Sequence, residues 1–370
     1  MAPYSHFLKT FSITVLLLGS LIVLINAGMD PYGILGAPQT GWLNRQKPQA
    51  EHHQRLIQAI EISKTKPKVL FMGSSRTRAG MRPESLQPYT VEKAFNLGLS
   101  AVTIEEIHAY LEHALFHQPE IQEVLIDLDL FMFNRNRKLN IEFDPNRLKK
   151  SGLILDDYIG SLFTFSTLTN SFLTLKHNLG DYFFQKEPIA TDVKSGPSPE
   201  DWHFIKDIAL AHAWFGKFEL DPRQLAFYAK IVQLCQENKI SLRIYFSPAQ
   251  DLYWETIYQK KLWPVFENLK RDLCQIHPFF DFSGYSEVTT RQCEQAGKPL
   301  YTDCSHYTPL VGRWILARLY RDDQTENMPA FGHWTAPENV EKNLEQLRLE
   351  REEWAKKNPA VIESIKQIIL

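Results

Sequence analysis

Two short stretches, far apart in the sequence, carry the residue types of an acyl-transfer site. Gly73-Ser74-Ser75 follows a short apolar run, and Asp303-Cys304-Ser305-His306 lies near the end of the chain. An aspartate three residues before a histidine can accept a hydrogen bond from one ring nitrogen while the other nitrogen faces a serine hydroxyl. A serine paired in this way can attack an ester carbonyl. Each stretch alone is weak, because a glycine followed by serines is most often the start of a helix.

A third stretch offers the hydrogen-bond donors that such a reaction needs. Gly98 lies in Phe95-Asn96-Leu97-Gly98-Leu99-Ser100, where a predicted strand ends. Its backbone N–H, with the N–H of Ser75, could hold the negative charge that develops on a reacting carbonyl oxygen. A glycine needed only for a turn is the alternative interpretation.

The hydrophobic pattern predicts the elements that position these residues. Short apolar runs predict five strands, at 68–73, 91–96, 123–130, 242–247 and 279–282. Helical periodicity lies between them, at 103–116, 222–237 and about 258–275. Strands that alternate with helices predict an α/β class, with a mainly parallel sheet of about five strands between two helical layers. Ligands of such sheets bind beyond the carboxyl ends of the strands, where Ser75 is expected.

The rest of the chain does not follow this alternation. Residues 30–48, rich in Gly, Pro and Asn, predict an extended linker, and 49–64 predict a helix. Residues 337–357 predict a charged helix that docks one apolar stripe. The interval at about 134–218 is interpreted as a helical insertion packed over the edge or the active end of the sheet. The predicted organisation is an anchor at 1–30, a linker and helix at 31–66, an α/β domain at 67–322 that includes the insertion, and a charged helical tail at 323–370.

The N-terminus predicts a membrane anchor. Residues 11–27 carry no charge over 17 positions, with Lys9 before them and Asp30 after them. That length is near the lower limit for a membrane-spanning helix, and the basic flank favours a cytoplasmic N-terminus with the main domain periplasmic or extracellular. A cleaved signal peptide is the alternative, although Ile25-Asn26-Ala27 is a poor cleavage site.

The overall composition indicates a globular protein that does not bind nucleic acid. The 370 residues are 44% hydrophobic, enough for a sizeable core in one large or two ordinary domains. The 41 basic and 43 acidic residues nearly cancel, so no global field attracts a polyanion.

Signals for metals, cofactors and disulfides are weak. The cysteines are Cys235, Cys274, Cys293 and Cys304, and the sequence has no Cys-x-x-Cys. An exported chain could pair them, Cys293 with Cys304 above all, and buried thiols are the alternative. His113 and His117 lie four apart on a predicted helix, but no third ligand is evident. We expect neither a metal nor a cofactor.

Taken in order, Gly73-Ser74-Ser75, Gly98 and Asp303-x-x-His306 resemble blocks I, II and V of the SGNH, or GDSL-like, hydrolase superfamily, over about residues 67–320. The resemblance implies a flavodoxin-like α/β/α fold, with Ser75 as nucleophile, His306 as base and Asp303 as its partner. Ser74 replaces the aspartate of the usual Gly-Asp-Ser. The sequence is most similar to membrane-anchored extracytoplasmic branches, such as the alginate O-acetyltransferase family and the proteins that partner D-alanylation of lipoteichoic acid.

The chain departs from that family at the third block, where Gly-x-Asn-Asp supplies an asparagine to the oxyanion hole. The third predicted strand instead ends Ile126-Asp127-Leu128-Asp129-Leu130. An ionised carboxylate cannot donate a hydrogen bond, so Asp129 is expected to orient Arg76 or to cap the strand. The oxyanion hole would then have two donors, or would take one from the insertion.

These expectations define a serine-dependent acyl ester hydrolase or O-acyltransferase that acts on extracytoplasmic glycan or cell-envelope esters, and the resemblance implies a multi-spanning membrane O-acyltransferase as a candidate partner. A catalytically degenerate relative that binds glycan or such a partner is the alternative, and a phosphate-binding or other α/β protein is a third. Hydrolysis and transfer differ in whether the site excludes water, which the sequence does not report.

Overall fold

A computed structural model describes residues 2–148, 154–184, 212, 214–290, 297–322 and 328–369. They form two compact units: the first contains the described residues of 1–64 and 141–191, and the second those of 65–140 and 192–370. This division differs from the predicted one. Residues 31–64 and part of the predicted insertion belong with the N-terminal helix, and the C-terminal tail belongs with the sheet.

The described helices and strands are, in chain order, α1 (Ala2–Met29), α2 (Gln54–Thr65), β1 (Val69–Gly73), α3 (Ser75–Gly80), β2 (Ala94–Gly98), α4 (Ile104–His117), β3 (Glu123–Leu128), α5 (Ile154–Phe163), α6 (Phe165–Phe184), α7 (Pro222–Glu237), β4 (Ser241–Phe246), α8 (Asp251–Gln259), α9 (Trp263–Ile276), β5 (Phe279–Asp281), α10 (Glu287–Thr290), α11 (Pro309–Leu319), β6 (His333–Thr335), α12 (Val340–Lys357) and α13 (Pro359–Ile369).

The second unit is built on a six-stranded sheet in the order β2-β1-β3-β4-β5-β6. The first five strands are parallel, and β6 pairs antiparallel with β5. The predicted α/β class and mainly parallel sheet are therefore confirmed. The chain leaves β1 in one direction to β2 and returns on its other side to β3, so a crevice is expected where the carboxyl ends of β1 and β3 diverge.

All five predicted strands have counterparts, and β6 is an addition within the predicted tail. β1 is buried along its whole length, as expected of a central parallel strand. β6 has only three residues, two of them exposed, so its sequence carries no strand-length apolar pattern.

The predicted helices at 103–116, 222–237 and about 258–275 are confirmed as α4, α7 and α9, although α9 begins only at Trp263, after a break, and α8 before that break was not predicted. The break falls between α8 and α9, at Lys261, whose φ of +58° is left-handed. Pro264 then lies in the first turn of α9, where its missing N–H costs no helical hydrogen bond. The apolar periodicity continues through this turn, and it concealed the break.

The C-terminal helix α12 confirms the predicted apolar stripe. Val340, Leu344, Leu347 and Trp354 are buried, although the helix is highly charged. In line with this stripe, the largely buried Arg351 pairs with the buried Glu255 of α8 at 2.7 Å. The tail therefore packs as part of the second unit.

The first unit consists of helices and of a segment that the sequence analysis treats as a linker. The carboxylate of Asp30 accepts the N–H groups of Leu35, Gly36 and Ala37 at 3.1–3.3 Å. Asn44 donates to the carbonyl of Gly28 at 2.9 Å, so this segment folds back onto the end of α1. It is thus an ordered part of the unit, and not an extended linker.

The described helices of the predicted insertion, α5 and α6, pack against α1 within the first unit. Polar side chains hydrogen-bond across these helices and join them to α1. The placement of the interval over the sheet stays a prediction. The structure does not describe 185–211.

Three cysteines are buried, Cys235, Cys274 and Cys304. Burial raises the pKa of the Cys235 thiol to about 12, as expected of an unreactive core residue. Cys293 lies outside the described residues, so its pairing with Cys304 stays a prediction.

Candidate active site

The predicted nucleophile lies at the first residue of α3, directly beyond the carboxyl end of β1. Ser74 is the N-cap of this helix, and its side chain accepts the N–H of Arg76 at 3.2 Å. A Cβ on Gly73 would lie 2.2 Å from Thr77 Oγ1 and 2.6 Å from Asp127 Cβ. Glycine is therefore required for the turn that presents Ser75 at the crevice between β1 and β3.

The structure brings Ser75, His306 and Asp303 into one hydrogen-bonded chain. His306 Nε2 lies 2.7 Å from Ser75 Oγ. His306 Nδ1 lies 2.7 Å and 2.9 Å from the two carboxylate oxygens of Asp303. With the ring proton on Nδ1 and donated to Asp303, the Nε2 lone pair can accept the hydroxyl proton of Ser75. This is the order of groups that a serine nucleophile requires.

The loop that carries Asp303 and His306 is held by its own backbone. Oδ1 of Asp303 accepts the N–H groups of Ser305 and His306, each at 2.8 Å. Burial alone would raise the pKa of Asp303, but the hydrogen bonds and charge of His306 and these two N–H groups lower it below its ordinary value. The carboxylate therefore stays ionised and fixes the orientation of the imidazole ring.

Arg76 connects the nucleophile helix to this loop. Its side chain is only 1% exposed, and its Nε donates to Ser305 Oγ at 3.0 Å. Its Nη1 forms an ion pair with Asp129 Oδ2 at 2.6 Å, and its guanidinium stacks over the Tyr253 ring at 4.4 Å. Burial alone would lower the pKa of Arg76, but Asp129 raises it above its ordinary value, so the guanidinium is charged.

Asp129 has the role expected from the sequence, because it both pairs with Arg76 and caps. Tyr253 donates its hydroxyl proton to Asp129 Oδ1 at 2.8 Å. The same oxygen accepts the N–H of Phe131 at 3.4 Å, at the start of a short 3₁₀ turn after β3. Asp129 is thus fully committed to positioning Arg76, and it offers no donor to an oxyanion.

The geometry corrects the prediction for Gly98. Its N–H donates to Asn96 Oδ1 at 2.9 Å, so that donor is already engaged. A Cβ on Gly98 would lie 2.5 Å from the backbone nitrogen of Arg78. The glycine is therefore required for the close approach of α3 to the end of β2, and not for binding an oxyanion.

Several residues that support the site were missed by the sequence analysis. Asn96 donates to the carbonyls of Thr77 and Met81 at 2.9 and 2.7 Å, which ties α3 to β2. The sequence does mark Asn96, because an asparagine interrupts an otherwise apolar strand. Tyr253 gave no signal, since it belongs to α8, far from the motifs in sequence.

A second carboxylate, Asp127, lies beneath the nucleophile turn. Its Oδ2 accepts the hydroxyl proton of Thr77 at 2.8 Å and that of Ser247 at 3.3 Å. Burial raises the pKa of Asp127 to about 7, although Arg76 and these hydroxyls oppose the shift. It joins α3 to the ends of β3 and β4, and does not contact the base histidine in any described hydrogen bond.

The structure provides no metal site in the part of the chain that it describes. His113 and His117 pack edge to face, with ring centroids 4.5 Å apart. Within the described ranges, no three His, Cys, Asp or Glu residues cluster in a way that could hold an ion.

No protein-family model matches this sequence, and no curated protein is significantly similar to it.

Proposed function

We propose that this protein is a serine-dependent acyl ester hydrolase or O-acyltransferase. The observation that carries the proposal is the chain of contacts from Ser75 Oγ to His306 Nε2 at 2.7 Å and from His306 Nδ1 to Asp303 at 2.7 Å. Three side chains, from two loops that are distant in sequence, meet at hydrogen-bonding distance at the carboxyl edge of the sheet. A helix cap or a surface turn does not require that arrangement.

The proposed reaction proceeds in two steps through an acyl-serine. Ser75 Oγ forms a bond to the ester carbonyl carbon while its proton passes to His306 Nε2. The carbon–oxygen bond to the leaving alcohol then breaks, and His306 returns that proton to the alcohol. In the second step water or an acceptor hydroxyl gives its proton to His306 and attacks the acyl-serine, and Ser75 is released as the neutral hydroxyl. Asp303 stabilises the imidazolium throughout.

The oxyanion is assigned to one backbone donor of the described site. The N–H of Ser75 belongs to the first turn of α3, where no carbonyl of the helix can accept it. The N–H of Gly98 is excluded from this role by its bond to Asn96. Loss of one oxyanion donor costs about 3 kcal/mol of transition-state stabilisation in other enzymes, so slow turnover of simple esters is expected.

The resemblance to the SGNH superfamily supplies the substrate class that we propose. The strand order 2-1-3-4-5 agrees with the flavodoxin-like arrangement that the resemblance implies. Tyr4–Met29 is long and apolar enough to cross a membrane, with a mean hydropathy of 2.2, a property that signal sequences share. We therefore propose glycan or cell-envelope esters as substrates, a periplasmic or extracellular catalytic unit, and a multi-spanning membrane O-acyltransferase as partner.

A non-catalytic binding protein is the second candidate, and the oxyanion site favours it. Gly98 and Asp129 stand at two of the positions that serve the oxyanion in the superfamily, and both are engaged in hydrogen bonds within the protein. A protein that binds an ester without cleaving it needs no oxyanion donor.

Labelling of the full-length protein in detergent distinguishes the two candidates. A fluorophosphonate should react with Ser75, and mass spectrometry should find the adduct on the peptide that contains it. Ser75→Ala and His306→Ala should abolish labelling, whereas Ser74→Ala, the neighbouring control, should retain it. An adduct on Ser74, or none on either serine of a folded protein, would overturn the assignment and favour the binding protein.

A further inference from the structure

The turn between α5 and α6 is bonded to the last turns of the apolar helix α1. Asn26 Nδ2 donates to the carbonyl of Leu162 at 2.8 Å and to that of Thr164 at 3.4 Å. Its Oδ1 accepts the hydroxyl proton of Ser171 at 3.0 Å. Asn26 is buried, so a polar side chain of α1 holds both helices of this hairpin at a defined height along α1.

That height lies inside the uncharged part of α1. Lys9 and Asp30 enclose 20 uncharged residues, which as a helix span about 30 Å, the thickness of a hydrocarbon core. Asn26 precedes Asp30 by four residues, or about 6 Å along the axis. If α1 crosses a bilayer, the α5–α6 turn therefore lies below the level of Asp30, within the outer leaflet.

The side chains at this turn suit such a position. Phe163 and Phe165, which flank the turn, are 59% and 74% exposed. Leu155 and Ile159 precede Phe163 at spacings of four, so they continue its exposed stripe along α5, and Phe172 continues that of Phe165 along α6. A stripe of this kind in water would be an unusual hydrophobic patch on a helical hairpin.

The polar groups of the turn are satisfied from within the protein, as hydrocarbon surroundings demand. The Leu162 carbonyl belongs to the last turn of α5, which has no intrahelical donor for it, and Asn26 supplies that donor. At the start of α6, Thr164 Oγ1 accepts the N–H of Thr167 at 3.3 Å. The hydroxyl groups of Thr164 and Thr167 are also hydrogen-bonded to each other, at 2.8 Å. The turn thus exposes the rings of Phe163 and Phe165, while the polar backbone groups at the adjoining ends of α5 and α6 are hydrogen-bonded within the protein.

A groove between α1 and α6, lined in part by Phe172, extends the apolar surface. It has a volume of about 270 Å³ and is lined mainly by apolar side chains of α1 and α6, among them Leu24, Ile25, Met29, Phe172 and Leu175. It opens outward next to α1, where a spanning helix is surrounded by acyl chains.

We infer that the α5–α6 turn inserts into the outer leaflet of the same bilayer that α1 spans, and that its occupant is phospholipid. Phe163 and Phe165 lie among the acyl chains, with Leu155, Ile159 and Phe172 towards the interface. Lipid is favoured over a second protein because the stripe continues the surface of α1. The inference is independent of the proposed chemistry, and it requires that α1 is retained, since cleavage after Ala27 would remove Asn26.

Site-directed spin labelling of the full-length protein in vesicles of phosphatidylcholine and phosphatidylglycerol tests the inference. Phe163→Cys, Phe165→Cys and Phe172→Cys are each labelled, with Lys176→Cys as the control, because Lys176 is an exposed charged residue further along the same helix. The unsubstituted protein measures the background from the native cysteines. Collision with oxygen reports acyl surroundings, and collision with a nickel chelate reports water.

We expect the ratio of oxygen to nickel accessibility to be several-fold higher at 163 and 165 than at 176, with 172 between them. A nickel-accessible label at 163 and 165 would overturn the inference. Labels that neither reagent reaches would show that protein, and not lipid, covers the turn. Mass spectrometry of the mature chain adds an independent requirement, since a chain that begins after Ala27 would also contradict the inference.

Discussion

The sheet of the second unit and the helices α1, α5 and α6 of the first unit bury different kinds of polar group. The second unit buries charges in pairs, as Arg76–Asp129 and Lys270–Asp281 show, each at 2.6 Å. In the first unit, α1 and α6 bury uncharged polar side chains, namely Asn26, Thr167, Ser171, Thr174 and Asn178. The helices α5 and α6 expose large apolar ones, namely Leu155, Ile159, Phe163, Phe165 and Phe172.

The difference indicates the surroundings for which each unit is suited. A buried ion pair holds two side chains in a fixed geometry where water is excluded, here at the carboxyl edge of the sheet. Hydrogen bonds between buried hydroxyl and amide groups join helices in membranes, where the hydrophobic effect does not drive helices together.

The largest expected effect concerns the triad of the second unit. Ser75→Ala and His306→Ala should each lower the turnover of a small acetyl ester by roughly a thousandfold or more, because nucleophile and base act as one unit. Steady-state kinetics with p-nitrophenyl acetate measure this. Ser74→Ala should lose only the cap, which costs stability of about 1 kcal/mol, so a Ser74 variant as inactive as Ser75→Ala would contradict the triad.

The next effect concerns the buried pair that joins α3 to the base loop. Arg76→Met leaves Asp129 buried without its cation and should lower the free energy of unfolding by about 3–5 kcal/mol. Denaturant titration measures the loss. Arg271→Met, which breaks the exposed Arg271–Glu341 pair, is the matched control and should change stability very little.

Arg76→Lys separates charge from geometry at the same place. A lysine keeps the charge near Asp129 but cannot also donate to Ser305 as the planar guanidinium does. Expressed as free energies, the loss of transition-state stabilisation measured from turnover should therefore exceed the loss of unfolding free energy. Equal losses of the two would mean that Arg76 only stabilises the fold.

A smaller effect is expected for the amide that joins the helices of the first unit. Asn26→Leu removes the donor to Leu162 and Thr164 and should weaken the α5–α6 packing by about 1–3 kcal/mol. Faster hydrogen exchange of the amides of α5 and α6, measured in lipid nanodiscs, would report it. Thr14→Val, which alters an exposed residue of α1, is the control and should leave that exchange unchanged.

The smallest effect is a pH dependence from Asp303. Its pKa is lower in the folded state than its unfolded value of about 4, so its contribution to stability is present above pH 4 and is lost as the pH falls through the folded pKa. The stability difference between the natural protein and Asp303→Asn should therefore shrink below about pH 4. Denaturant titrations at a series of pH values measure it, and a difference that grows in acid would contradict the assignment.

The sequence predicted those parts of the fold and site that depend on local pattern. Apolar runs and helical periodicity identified β1 to β5, α4, α7 and the buried stripe of α12, because those elements bury one face or both. Gly73 and the spacing of Asp303 and His306 are equally local. The sequence did not reveal features that depend on long-range contacts: the helix α8, the strand β6, and the packing of α5 and α6 on α1.

Gly98 shows the limit within the site itself. From the sequence, Gly98 was predicted to be an oxyanion donor, with a turn glycine as the alternative. In the structure the glycine is required by the backbone of Arg78, and its N–H is occupied by Asn96. Which acceptor a backbone N–H meets depends on the placement of neighbouring side chains, which no spacing rule reports.

By itself, then, the sequence determined an α/β domain with a glycine turn before Ser75, an aspartate within reach of His306, and an uncharged N-terminal helix. These follow from short-range sterics, hydrophobic periodicity and residue spacing. Only the tertiary structure decided that His306 meets Ser75 across 231 positions, that Arg76 and Asp129 hold the two loops together, and that Asn26 gathers α5 and α6 onto α1. Those contacts arise because the sheet order and the helix packing bring distant segments together. The polar groups that are buried in this way then require hydrogen-bond partners, which the neighbouring segments supply.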